Sequence, residues 1–250
     1  MSRPADPVGD ELLQLAARGD PDRLDSLRRR VEAGEAPAYA AGFLSFGGRR
    51  FHIDPRAFIT DPETWWLTEV VLEQGRGLAA QGRVPQILEF GVGAGTLAIT
   101  VKLAHPDWSV SGIDIDAAAL ELAVENARLH GVDIGLVQSD YLSAWPATRR
   151  APDLIFGDPP WGGAEDLYDG ERDENYYLQM PQLSAFPPGG ERTGIHDRLI
   201  RSVVERGWDS TIILNYGVLP HAVIAQSAAP LGQWSLAHPQ PGISVLIGRR

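Results

Sequence analysis

The stretch Ile87-Leu-Glu-Phe-Gly-Val-Gly-Ala-Gly95 constrains this chain more than any other. The apolar run from Val84 to Phe90 predicts a strand buried on both faces. It breaks into Gly91, Gly93 and Gly95, and then into Thr96-Leu-Ala-Ile-Thr-Val, which reads as a helix. Glycine permits a tight turn and lets a ligand come close to the backbone. The helix N-terminus behind the turn offers free N–H groups and the positive end of a dipole. Glu89 stands just before the first glycine, where a carboxylate can meet a positively charged ligand. An acid followed by Gly-x-Gly-x-Gly differs from the Gly-x-Gly-x-x-Gly of pyrophosphate-binding turns. It suits a cationic amino-acid moiety, such as that of S-adenosyl-L-methionine. A plain tight strand–helix connection is the competing reading.

The rest of the chain supports a parallel sheet around that turn. Strands are expected at Trp108–Ile115, Ile134–Gln138, Asp153–Gly157 and Thr211–Tyr216, alternating with helices at Ala117–His130 and Ile195–Arg206. That alternation predicts a sheet covered on both faces. Trp234–Pro239 and Ile243–Arg250, joined by Pro241-Gly242, read as an antiparallel hairpin closing its edge. Upstream, residues 1–8 read as disordered. Helices are expected at Glu11–Arg18 and Pro21–Glu32, the second capped by Asp20. Leu24, Leu27 and Val31 form its apolar stripe, with Arg28, Arg29 and Arg30 on a solvated face. Phe43–Asp54 reads as a hairpin about Gly47-Gly48, followed by a helix from near Pro62. A loop containing Gly75, Gly77 and Gly82 is expected to separate this appendage, residues 1–75, from the main domain, residues 76–250.

In an open α/β sheet, ligands bind outside the carboxyl ends of the strands, where strand order reverses. Four successive strand ends carry Glu89 with its glycines, Asp114, Asp140 and Asp158. Asp114 is placed to bind a ribose diol. Asp140 can accept from an adenine amine, with Tyr141 beside the ring; Phe90 and Ile115 flank these positions. Any single acid is more often a helix cap, and Asp116 reads as one. Four acids at four consecutive strand ends point instead to a nucleoside cofactor.

The fourth end continues as Asp158-Pro-Pro-Trp161. Two prolines lack N–H groups, so their carbonyls stand as unmatched acceptors. The residue before a proline is held extended, which fixes Asp158 in space. The result is a rigid acceptor cluster beside an aromatic face, able to hold a planar nitrogen group against a methyl donor. An ordinary Pro-rich turn is the bland reading. Asp158, Pro159 and Trp161 are therefore the candidate catalytic residues, with Glu165, Asp166 and Tyr168 behind them as candidate substrate contacts. Six acids and one arginine lie between Glu165 and Glu174, either a solvated loop or an acidic wall.

Composition excludes several classes. The chain has 250 residues, a net charge of −11 and no cysteine. Disulfides, thiolate metal sites and cysteine nucleophiles are excluded. The acidity argues against a broad phosphate-binding face, so no nucleic-acid partner is expected. No apolar run is long enough to span a membrane, and Met-Ser-Arg-Pro-Ala-Asp lacks the apolar core of a signal peptide. No membrane association and cytoplasmic residence are the expectations. A homodimer is left open.

With these residues in view, the chain resembles class I S-adenosylmethionine-dependent methyltransferases, and more narrowly the HemK/PrmC family, which methylates a glutamine side-chain amide of peptide-chain release factors. The resemblance runs over roughly residues 27–250. It rests on Arg28-Arg-Arg-Val-Glu-Ala-Gly-Glu-Ala-Pro-Ala-Tyr, Phe46-Gly-Gly-Arg-Arg-Phe, Ile59-Thr-Asp-Pro-Glu-Thr, Gly112-Ile-Asp-Ile-Asp, Asn126-Ala-Arg-Leu-His-Gly, Asp158-Pro-Pro-Trp and Gly189-Gly-Glu-Arg-Thr-Gly-Ile-His. It implies a Rossmann-like, mainly parallel seven-stranded sheet with an antiparallel C-terminal hairpin. It implies cofactor contacts at Glu89, Gly91, Gly93, Asp114 and Asp140, with Gly95 completing the turn, and an amide-binding motif at Asp158–Trp161.

Three departures stand out. The family motif begins with asparagine and ends with tyrosine, where this chain has Asp158 and Trp161. The family usually has arginine at the position of Asp61. The N-terminal helical region, which in the family helps dock the protein substrate, is shorter. Asparagine both donates and accepts, whereas a carboxylate only accepts. These departures predict a small cationic substrate, a guanidine or amine methylated on nitrogen in specialised metabolism such as antibiotic biosynthesis. The family's own release-factor activity is the alternative. Adenine methylation in nucleic acid is a third reading, and a nucleotide-binding module without chemistry a fourth.

Overall fold

The computed structural model describes residues 7–146, 148–168 and 172–250. The chain opens with three helices, α1 (Pro7–Ala17), α2 (Pro21–Glu32) and α3 (Pro37–Ala41), and a hairpin, β1 (Phe43–Phe46) and β2 (Arg49–His52). A 3-10 turn, Pro62–Thr64, leads into α4 (Trp65–Ala79). The alternating body follows: β3 (Gln86–Phe90), α5 (Thr96–Ala104), β4 (Ser109–Asp114), α6 (Ala117–His130), β5 (Gly135–Gln138) and β6 (Leu154–Gly157). Three one-turn helices, α7 (Ala164–Leu167), α8 (Glu174–Tyr177) and α9 (Gln182–Ala185), precede α10 (Gly194–Glu205). Then come β7 (Thr211–Asn215), α11 (His221–Ala228), β8 (Gln233–Ala237) and β9 (Val245–Arg249).

Seven strands form one sheet in the order β5-β4-β3-β6-β7-β9-β8. The pairs from β5 through β7 are parallel, and β9 runs antiparallel to both β7 and β8. This is the expected Rossmann-like class I arrangement with its antiparallel C-terminal hairpin. Strand order reverses between β3 and β6, so the glycine turn and the Asp158 turn leave the sheet side by side. Strand residues alternate between two cores. Ile87, Val110, Phe156, Ile213 and Val245 face one, with α4, α5 and α6 over them. Leu88, Ile113, Ile155, Ile212 and Leu246 face the other, beneath α10 and α11. That alternation follows from the two-residue period of a strand.

The first core continues without a break into the appendage, taking in Leu44, Phe51 and Ile53. Asn126 of α6 is fully buried at the junction. Its Oδ1 accepts from the His52 N–H at 2.7 Å, and its Nδ2 donates to the carbonyls of His52 and Ala94 at 3.0 and 2.9 Å. A single side chain thereby ties hairpin, helix and glycine turn together. Leu27 packs with α1 and α3 in a satellite cluster. Arg28 pairs with Asp10 and Arg30 with Glu35, both at the surface.

The expected loop about Gly75 and Gly77 is corrected. Both glycines lie inside α4. Gly75 is where the helix crosses the buried Trp108: a Cβ there would sit 2.3 Å from the indole. Close packing, not a chain break, explains the residue. Gly82 follows the helix, with φ +76°.

Candidate active site

A cavity of about 550 Å³ opens at the carboxyl ends of β3, β4, β5, β6 and β7. Its floor is the glycine turn. The N–H groups of Gly91 and Val92 both donate to the Ile113 carbonyl, at 2.9 and 3.0 Å, fastening the turn to β4. Gly93 has φ +50°, with nothing within 4 Å of where a Cβ would stand, so the cavity reaches its backbone. Gly95 plays a different part: it has φ +80° and caps α5, and a Cβ there would press on Ile99 and Ala123. It does not line the cavity.

Glu89 is 2 % exposed, and its Oε2 accepts from the Ala98 N–H of α5 at 2.7 Å. The carboxylate thus caps the helix from within the sheet while lining the cavity. Burial pushes its pKa well up, opposed by the Ala98 hydrogen bond and reinforced by Asp114 and Asp158. Asp114 accepts from the Gly93 N–H at 2.8 Å and from the Asp116 N–H at 3.0 Å. Burial raises its pKa too, against those backbone donors. Asp116 caps α6 through the Ala118 N–H.

Phe90 and Tyr141 stack with centroids 5.5 Å apart, Tyr141 in the left-handed region at φ +49°. Ile115, 49 % exposed, and Asp140 line the cavity with them, giving an apolar stretch of wall with one carboxylate. This wall suits a purine ring, Asp114 a ribose, and the acid-lined glycine floor an ammonium group. The residues present therefore fit S-adenosylmethionine.

Asp158 stands where β6 leaves the sheet. Its Oδ1 accepts from Asn215 Nδ2 at 2.8 Å and its Oδ2 from Thr64 Oγ1 at 3.0 Å. Burial raises its pKa to about 6, opposed first by the Asn215 hydrogen bond and reinforced by the charge of Asp61. Pro159, Pro160 and Trp161 line the cavity beside it. The Trp161 ring lies on Gly217, which has φ +50° and where a Cβ would fall 2.0 Å from the indole.

Of the acids after this turn, Asp166 lines the cavity but is committed elsewhere. It accepts from the Gly163 N–H at 2.9 Å and is gripped by Arg192, whose Nε lies at 2.9 Å. Glu165 is exposed and outside the lining. Tyr168 also lies outside it, stacked on Tyr177 at 5.7 Å. Asp173 caps α8 through the Tyr176 N–H. Asp169 and Glu171 lie outside the described residues. Arg172, the basic residue of that run, pairs with Asp61 at 2.8 Å across the cavity wall. Among the described residues no cluster could hold a metal ion, and no helix is long and apolar enough to cross a membrane.

Sequence reasoning missed Thr64, Asn215 and Gly217 as site residues. Thr64 stood in the quoted Asp-Pro-Glu-Thr run, and Asn215 at the end of an expected strand. Either position was a signal that could have been followed.

Comparison with known proteins agrees with this geometry. Residues 69–168 match the family model described as methyltransferase small domain. The release factor glutamine methyltransferase of Neisseria gonorrhoeae is 34 % identical over 212 residues, covering 79 % of this chain and 75 % of that protein. That of Lactococcus lactis is 31 % identical over 163 residues, covering 65 % of this chain and 57 % of that protein. The chain thus spans little more than half of some relatives. Among solved structures, the human Mettl16 catalytic domain in complex with a MAT2A 3'UTR hairpin superposes with a TM-score of 0.59 at 12 % identity, covering 93 % of this chain and 92 % of that one. A Thermus thermophilus 16S rRNA methyltransferase complex with AdoMet and guanosine gives 0.55 at 19 %, covering 83 % and 49 %. At such identities these two show the fold alone.

The relatives overturn the expectation of a small guanidine or amine substrate in specialised metabolism, since those of Lactococcus lactis, Neisseria gonorrhoeae, Bordetella pertussis and Bacillus subtilis share one name, and it specifies a glutamine. The mistaken step was to read position 158 in isolation: a lone carboxylate suits a cation, but this one is held between Thr64 and Asn215. Its sheet, its cofactor cavity and its relatives together place the chain in the release factor glutamine methyltransferase family, among the class I S-adenosylmethionine-dependent methyltransferases.

Proposed function

We propose that this protein transfers a methyl group to the side-chain amide nitrogen of a glutamine in a peptide-chain release factor, a reaction met in the cytoplasm. The observation that carries the reading is the 34 % identity to a release factor glutamine methyltransferase over three quarters of that protein's length. The site supports it. S-adenosylmethionine, when bound, supplies an electrophilic methyl group. The amide nitrogen is a weak nucleophile, so the protein's contribution is to hold it in line and keep it there. In this reading Asp158 accepts one amide N–H and the Pro159 carbonyl the other, with Trp161 beside the planar group. The proton released on methylation leaves from a nitrogen already hydrogen-bonded to a carboxylate. Phe58 and Tyr177 line the cavity, with Tyr168 and Phe186 packed against Tyr177 behind them.

Purified release factor incubated with isotopically labelled S-adenosylmethionine and this protein should gain one methyl group on a single glutamine, located by mass spectrometry of the digested product. Absence of label in release factor, with label appearing on free guanidines or amines, would refute the reading.

A further inference from the structure

Thr64, Asn215 and Trp161 all hydrogen-bond Asp158, and the first two differ in what they leave over. Thr64 has one hydroxyl proton and gives it to Oδ2 of Asp158. Asn215 is a primary amide, with two N–H donors and one acceptor oxygen. Its Oδ1 accepts from the Gly217 N–H at 3.0 Å, which decides which end of the amide faces Asp158. One N–H then goes to Asp158 Oδ1 at 2.8 Å. The other remains on a side chain that lines the cavity beside the Asp158–Trp161 turn. The neighbourhood is built into the sheet: Gly157 of β6 pairs with Leu214 of β7, so residues 158 and 215 each follow a paired position.

We propose that Asn215 is a specificity-determining residue whose remaining N–H donates to the carbonyl oxygen of the methyl acceptor, so that Asp158 and Asn215 together read a carboxamide. The inference rests on the release-factor reading above and says how the site recognises its glutamine. A carboxamide presents N–H donors and a C=O acceptor side by side. Asp158 matches the first and Asn215 the second. An amine or guanidinium presents donors alone and leaves the Asn215 N–H desolvated without an acceptor, which disfavours binding. The donor that a family asparagine would offer at position 158 is thus supplied from the neighbouring strand. Sites that hydrogen-bond a polar substrate group discriminate strongly against analogues lacking it.

Calorimetry on the protein saturated with S-adenosylhomocysteine tests this. One titrant is a synthetic peptide spanning the release-factor glutamine. The other carries ornithine there, which keeps the chain length and terminal nitrogen but lacks the carbonyl. The parent protein should bind the glutamine peptide at least about tenfold more tightly. Asn215→Ala should bring the ratio to within about twofold by weakening the glutamine peptide, with S-adenosylhomocysteine affinity unchanged. Asn215→Asp keeps the size and an acceptor for the Gly217 N–H but has no N–H, and should do the same. It also decides the matter if the alanine variant fails to fold. A tenfold preference that survives substitution, or an equal loss for both peptides, overturns the proposal. A parent protein that leaves intact release factor unmethylated fails the release-factor reading. One that methylates it with a preference independent of Asn215 fails this inference alone.

Discussion

Replacing Asp158 by asparagine removes a charge while keeping the hydrogen bonds to Asn215 and Thr64. The amide oxygen is directed to Asn215 Nδ2, whose orientation Gly217 fixes, and the amide nitrogen to Thr64, whose hydroxyl can turn to accept. What changes is the electrostatic cost. Burial lifts the Asp158 carboxyl from 3.8 to about 6, a shift of roughly two units, or about 3 kcal/mol at 1.36 kcal/mol per unit. Asp158 keeps part of its surface open to the cavity, and solvent reduces this to about 1–2 kcal/mol. A carboxyl raised on folding stabilises the native state while protonated, so its contribution is complete below pH 3.8 and lost as pH rises through about 6. The parent protein should therefore lose stability relative to Asp158→Asn between those pH values, with a constant gap above. At neutral pH the variant should melt about 2–8 °C higher for a chain of this size. Thermal unfolding of both proteins from pH 4 to pH 8 measures it. A difference that does not vary with pH, or a variant less stable at pH 7.5, would refute the assignment of a strained carboxylate. Turnover adds a second reading. Protonation deprives the site of an acceptor, so kcat/KM of the parent should fall below about pH 6. Asparagine, like the protonated acid, offers one acceptor oxygen rather than two, so the variant should turn glutamine over at neutral pH about as slowly as the parent does well below pH 6, with no limb there.

Three further outcomes are expected. Asp114→Ala removes the carboxylate expected to meet the cofactor ribose and should weaken S-adenosylmethionine binding by about one to two orders of magnitude in calorimetry, the weight of a charge-assisted hydrogen bond; unchanged affinity would move the ribose site elsewhere. Gly217→Ala drives a methyl group into the Trp161 ring at a backbone angle that disfavours side chains, and should lower kcat/KM at least about tenfold while cofactor affinity stays within twofold; an active variant would dissociate Trp161 from the acceptor site. With its net charge of −11, the protein should pass through immobilised duplex DNA or RNA at near-physiological ionic strength without salt-dependent retention; retention released by salt would contradict this.

The sheet was legible because its signals are local. Apolar runs of strand length, three glycines, and acids at the strand ends each occupy a few consecutive residues, and the observed strand ends fall within two residues of the expected ones. That Glu89, Gly91, Gly93, Asp114, Asp140 and Tyr141 come together around one cavity was legible for the same reason. The acceptor half was not, because its chemistry is made by pairing across the fold. Thr64 and Asn215 meet Asp158 from 94 and 57 residues away, and no spacing rule links them. Gly75 misled in the other direction. Glycine propensity favours a break, but the local preference yielded to Trp108, which needs a surface without a side chain to lie against. The acids near Glu165 looked like a binding wall because sequence shows charge but not partners, and Arg192, Gly163 and Tyr176 had already claimed Asp166 and Asp173.

Asn126 carries a consequence for how the hairpin and the glycine turn communicate. Its three hydrogen bonds join the last residue of the hairpin to the carbonyl of Ala94, between the second and third glycines of the cofactor turn. The hairpin cannot shift by much without dragging that turn, and the turn cannot reshape around a ligand without being felt at the hairpin. Linkage is reciprocal: a partner at the hairpin that changes cofactor affinity has its own affinity changed by the same factor. A macromolecule gripping the Arg49–Arg50 edge would thus sense, through one buried amide, whether the methyl donor is in place.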